Sequence, residues 1–109
     1  MIVVTNRICV TKGKGAQMAP RFTSSKALCE FEGFVKVEVI VFEQEEHDEM
    51  NVHMHWRNME DFQVWRHSDA FKAAHKRPPK DQNDENPVIS SQLLIGNIAA
   101  TLVNDNNPI

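Results

Sequence analysis

Ile2-Val3-Val4-Thr5-Asn6-Arg7-Ile8-Cys9-Val10-Thr11 alternates without a break: Ile2, Val4, Asn6, Ile8 and Val10 share one face, and Val3, Thr5, Arg7, Cys9 and Thr11 share the other. Period two in a run rich in β-branched side chains marks a strand half-buried in a sheet. Two later stretches repeat the pattern. Residues 34–43 carry Val35, Val37, Val39 and Val41 on one face, and residues 50–57 carry Met50, Val52, Met54 and Trp56. The polar connector from Glu43 to Glu49 makes these two an antiparallel hairpin. A last strand is expected over about 88–103, followed by a tail from Asn104 to Ile109.

Between the strands the period changes. After the turn Lys12-Gly13-Lys14-Gly15, a helix is expected over about 16–27, with Met18 and Phe22 spaced i,i+4 on its inner face. Pro20 requires that this helix start late or kink. Asn58 can cap a second helix, with Asp61 three residues on and Phe62 and Trp65 at helical spacing. Ser68-Asp69 offers another cap, so the helix breaks and restarts through Phe71, Ala74 and His75. Residues 76–87 cannot continue a helix and carry almost no apolar surface, as expected of a polar loop or lid. The order β-α-β-β-α(α)-β predicts an α+β, ferredoxin-like sandwich, with residues 1–109 as a single domain. Two helical covers leave one face of a four-stranded sheet bare, so a homodimer is expected in which the sheets bury each other, as in a dimeric α+β barrel.

Composition narrows the classes. The 109 residues hold 12 Lys+Arg and 15 Asp+Glu, a net charge of −3, so the basic field that nucleic-acid binding needs is missing. Apolar runs such as Val39 to Phe42 fall far short of the ~18 residues of a membrane helix. Met1 to Val4 is too short for the apolar region of a signal peptide. Cys9 and Cys29 show neither metal-site nor disulfide-framework spacing, and a cytoplasmic location fits best. No hydrolase elbow, P-loop or dinucleotide-binding glycine pattern occurs.

Few residues remain that could carry chemistry. Asn6 is an amide on an otherwise apolar strand face: it either hydrogen-bonds a neighbouring backbone group or donates into a dry pocket. His75, where the chain leaves its helix, suits a dipole-favoured surface cation or, with Ala73 and Ala74 leaving room beside it, an iron ligand. Trp65 reads as core with Phe62, or as the wall of an apolar pocket. His53 and His55 share a strand face with Asn51 and Arg57 and suit a polar surface or dimer contact better than a metal site. The acids at Glu43, Glu45, Glu46, Asp48 and Glu49 read as a solvated loop.

Taken together, the chain resembles the IsdG-type haem-degrading monooxygenases of the antibiotic-biosynthesis-monooxygenase superfamily. The resemblance runs from Thr5-Asn6-Arg7 through Thr11-Lys12-Gly13, Arg21-Phe22 and Glu30-Phe31-Glu32-Gly33-Phe34. It continues in Trp56, Phe62, Trp65 and the block Ser68-Asp69-Ala70-Phe71-Lys72-Ala73-Ala74-His75. It implies a dimeric ferredoxin-like barrel that holds haem as both cofactor and substrate. It also implies opening of the ring by dioxygen and electrons from an external donor, with release of iron and a linear tetrapyrrole. The catalytic trio of such enzymes falls on Asn6, Trp65 and His75: His75 as the iron ligand, Asn6 hydrogen-bonding the dioxygen, Trp65 pressing the macrocycle out of plane. Phe22 and Phe71 are then expected porphyrin contacts, and Arg21, Lys76 and Arg77 partners for the propionates. Pro20 and Ser24-Ser25-Lys26-Ala27 depart from the family pattern where the far wall of the pocket is expected. Two other readings keep much of this picture, a haem-delivery protein without turnover and a cofactor-independent monooxygenase. A fourth, a dimeric stress protein of the same fold, has no catalysis.

Overall fold

The structure is a computed structural model and describes residues 1–74, 87–104 and 106. Four strands, β1 (Ile2–Thr11), β2 (Phe34–Glu43), β3 (His47–Trp56) and β4 (Val88–Asn97), form one antiparallel sheet in the order β2-β3-β1-β4. Helices α1 (Gly15–Met18), α2 (Met59–Arg66) and α3 (Asp69–Ala74), with short 3-10 turns at Ala19–Phe22 and Lys26–Glu30, complete the βαββαβ order of the ferredoxin-like α+β class. His75, Lys76, Arg77 and the rest of the 76–87 segment as far as residue 86 lie outside the described residues.

β1 occupies the centre, paired on one side with β3 and on the other with β4. Its even-numbered residues face the helices as the alternation predicts: Ile2, Val4, Ile8 and Val10 are all buried. Asn6 sits among them, opposite Val52 on β3 and Leu93 on β4. β3 adds Met50, Val52 and Trp56 to the same buried face. α2 begins as expected, with the Asp61 N–H donating to the Asn58 side-chain oxygen at 2.8 Å. Glu60 and Asp61 near its start and Arg66 at its end match the helix dipole. Ser68 Oγ accepts the Phe71 N–H at 3.1 Å and so starts α3.

Four expectations need correction. The helix expected over 16–27 is three short pieces, because Pro20 lacks an N–H and the chain tightens into 3-10 turns on either side of Ser24-Ser25. Met18 and Phe22 still pack inward. Val35 leaves the face of Val37, Val39 and Val41: the β2–β3 register shifts between Phe34 and Lys36, and Val35, the extra residue, is exposed. β3 begins at His47, so Asp48 and Glu49 belong to a strand rather than to a solvated connector. β4 stops at Asn97, and residues 98–104 form no regular element; Leu102 and Val103 there are exposed.

Asp48 explains why β3 starts early. It is 2% exposed, and its Oδ2 accepts the N–H groups of Gly13 and Gly15 at 3.0 and 3.1 Å. Lys12 Nζ stands 3.8 Å from Oδ1. Gly13 has φ +84°, and a Cβ on Gly15 would stand 2.8 Å from Val41 Cγ1, so the turn needs glycine at both positions. The carboxylate thereby ties the exit of β1 to the hairpin and sets the start of α1.

The core lies on the helix face of the sheet in two parts. One is built on Ile2, Val4, Leu28, Trp56, Phe62 and Trp65, the other on Ile8, Val10, Met50 and Val52. The first is covered by α2 and α3, the second by α1 and the 3-10 turn that carries Phe22. Asn6 lies at the seam between them. The opposite face of the sheet presents Thr5, Asn51, His53 and His55 at its centre and exposed Ile40, Phe42 and Leu94 toward its edges. Among the described residues no helix covers that face.

Candidate functional site

The seam opens into a cleft of about 460 Å³, within the range of small-molecule sites. Its floor is the sheet: Val4 and Asn6 from β1, Val52 and Met54 from β3, Ser91 and Leu93 from β4. One wall is α2 and α3, which contribute Phe62, Trp65, Arg66 and Phe71. Phe22 closes the other side.

The Trp65 wall is rigid for identifiable reasons. Its ring is 8% exposed and stands 5.7 Å from Trp56, 6.2 Å from Phe62 and 4.8 Å from Phe71, the last at 89°. The edge-to-face contact with Phe71, with the tilted contacts to Trp56 and Phe62, holds the ring in one orientation. Asn6 is half-buried, and its side-chain amide makes no hydrogen bond among the described residues. A free amide on an apolar floor leaves a donor and an acceptor open to a ligand atom. The apolar lining suits a flat, greasy molecule such as a porphyrin.

The structure therefore brings Asn6, Trp65, Phe22 and Phe71 together around one cleft, as the sequence predicts. Arg21 is exposed on its 3-10 turn and is not among the lining residues. His75, Lys76 and Arg77 fall outside the described residues. Three lining residues, Arg66, Ser91 and Leu93, escaped the sequence reading. Arg66 stands four residues after Phe62, on the same helical stripe, and that spacing could have revealed it. Ser91 pairs with Ile8 and so shares the face of Asn6.

The histidines on the far face of the sheet are held differently. His53 Nδ1 lies 2.9 Å from Thr5 Oγ1, and His55 Nε2 lies 3.8 Å from Glu38 Oε1. Burial, then the Lys36 charge, pushes the His55 pKa below its ordinary 6.5, with Glu38 opposing and His53 adding.

Comparison with known proteins bears on the family and the fold. Residues 1–77 match the family described as antibiotic biosynthesis monooxygenase. The chain is 41% identical over 103 residues to the heme oxygenase (staphylobilin-producing) of Staphylococcus saprophyticus, covering 94% of this chain and 99% of that one. Against the protein of the same description from Staphylococcus haemolyticus the identity is 43% over 103 residues, with the same coverage. The fold also matches the solved structure of the heme-degrader MhuD from Mycobacterium tuberculosis with two hemes bound in its active site. There the TM-score is 0.72 and the identity 22%, covering 94% of this chain and 100% of that one.

Proposed function

Since the chain belongs to the antibiotic biosynthesis monooxygenase family, we propose that it is a haem-degrading monooxygenase that takes haem as both cofactor and substrate and opens the porphyrin ring. The observation that carries this to particular residues is the meeting of Asn6, Trp65, Phe71 and Phe22 around one apolar cleft. The relatives at 41% and 43% identity are described as staphylobilin-producing, and the same tetrapyrrole class is the product proposed here.

Bound haem supplies a redox-active iron at which dioxygen is reduced by electrons from an external donor. The chain's own residues act around it. His75, next after α3, is proposed as the iron ligand. Asn6, on the cleft floor beside Val4 and Val52, offers its amide N–H as a donor to a ligand atom on a largely apolar surface. Trp65, braced by Trp56, Phe62 and Phe71, would be the wall against which a bound macrocycle packs and would supply the contact that distorts it. Arg21, Lys76 and Arg77 remain proposed partners for the propionates. The bare sheet face, with Ile40, Phe42 and Leu94 exposed, supports a homodimer. No described helix is long and apolar enough to cross a membrane, and a cytoplasmic enzyme is the reading adopted.

The test is a haemin titration followed, in air and with catalase present, by ascorbate. Saturable Soret absorbance that then decays to a long-wavelength product band is expected of the wild type. His75→Ala should abolish the decay, and Asn6→Ala should slow it about 100-fold, the usual cost of losing one preorganised donor. A Soret band that forms and persists in the wild type would move the protein to haem delivery. No saturable binding would point to a cofactor-independent monooxygenase.

A further inference from the structure

The cleft carries a charge as well as a shape. Of the residues lining it, Arg66 alone is charged; no acid is among them, and Asn6 and Ser91 are the neutral polar groups beside the apolar side chains. Some other cations of the described surface stand beside acids: Arg7 meets Glu49 at 2.8 Å, Lys36 lies 3.9 Å from Glu38, and Arg57 contacts both Glu32 and Asp61. Arg66 makes no ion pair among the described residues. It follows Trp65 directly, in the last turn of α2, so its exposed head and the Trp65 ring border the same opening. A long guanidinium side chain at the mouth of an apolar cleft fits an amphipathic ligand with a carboxylate at its rim.

We infer that Arg66 binds a propionate of the haem and thereby fixes the rotation of the macrocycle in its plane. The inference rests on the haem reading above. Apolar contact with Trp65 and Phe71 holds a flat ring but tolerates its rotation; one directional anion contact beside them removes that freedom. Arg66 is therefore a positioning residue, setting which edge of the ring faces Asn6 and so which bond is opened.

The test compares haemin with its dimethyl ester, in which both carboxylates are masked, by Soret titration of the wild type, Arg66→Gln and Arg66→Lys. The wild type should prefer haemin. That preference should shrink about two- to fivefold in Arg66→Gln, the size of a solvent-exposed charged contact, and by less in Arg66→Lys. The regioisomers formed from haemin should become more mixed in Arg66→Gln and return toward the wild-type ratio in Arg66→Lys. An Arg66→Gln protein with wild-type preference and a wild-type isomer ratio would overturn the assignment and leave the haem reading standing. A wild type that fails to bind haemin would overturn both.

Discussion

Trp65 is at once part of the core and part of the cleft, and the two roles can be separated by the size of what is removed. Replacing it with Ala strips the ring from its contacts with Trp56, Phe62 and Phe71. Buried Trp to Ala costs about 3–5 kcal/mol, and here the low end applies because the void would open into an existing cleft rather than remain sealed. Against a total stability of about 5–15 kcal/mol, that is a fifth of the reserve or more. Trp65→Phe keeps an aromatic edge against Phe71 and removes roughly 40 Å³, a loss of about 1–2 kcal/mol counting cavity and transfer together. Urea unfolding followed by far-ultraviolet circular dichroism measures both, and haemin turnover is then compared at a temperature where each variant is folded. The expected result is a folded Trp65→Phe protein with impaired turnover and a Trp65→Ala protein that is markedly less stable. A Trp65→Ala midpoint within about 1 kcal/mol of wild type would refute the packing argument. Full turnover by Trp65→Phe would refute the role of the indole in bending the ring.

Asp48→Ala should cost about 2–4 kcal/mol in urea unfolding, since it leaves the Gly13 and Gly15 N–H groups without their acceptor. Asp48→Asn keeps one acceptor oxygen and should recover more than half of the loss; equal losses would refute the hydrogen-bond explanation. His55, whose pKa is lowered in the folded chain, binds its proton less readily there than when unfolded. Its contribution to stability is therefore present above pH 6.5 and is lost as pH falls through 6.5 toward the folded-state pKa. His55→Gln should remove that dependence, so the difference in urea midpoint between wild type and variant should change from pH 7.5 to 5.5. A constant difference would show that His55 does not titrate as argued.

Local chemistry in the sequence was enough where a residue's neighbours in space are also its neighbours in the chain. The alternation of β1, the Asn58 cap and the shared face of Met50, Val52, Met54 and Trp56 all appear in the structure as read. Asn6 was conspicuous because a strand pattern dictates an apolar residue at its position. The failures come from long-range constraints. Nothing in the charge run around Asp48 announces the two glycine N–H groups that bury it, because they lie 35 and 33 residues away. The extra residue at Val35 is a property of the β2–β3 register, which a valine repeat conceals. Arg66 went unnoticed because only the fold shows that its helical stripe, shared with Phe62, borders the cleft.

The position of β1 between β3 and β4 has a consequence for the order of events during biosynthesis. The cleft takes its floor from the first strand and the last, and β4 brings Ser91 and Leu93 against a strand that left the ribosome about eighty residues earlier. Until that final pairing forms, the floor of the cleft lacks Ser91 and Leu93 beside Asn6. The complete site is therefore a late product of contacts between distant segments of the chain.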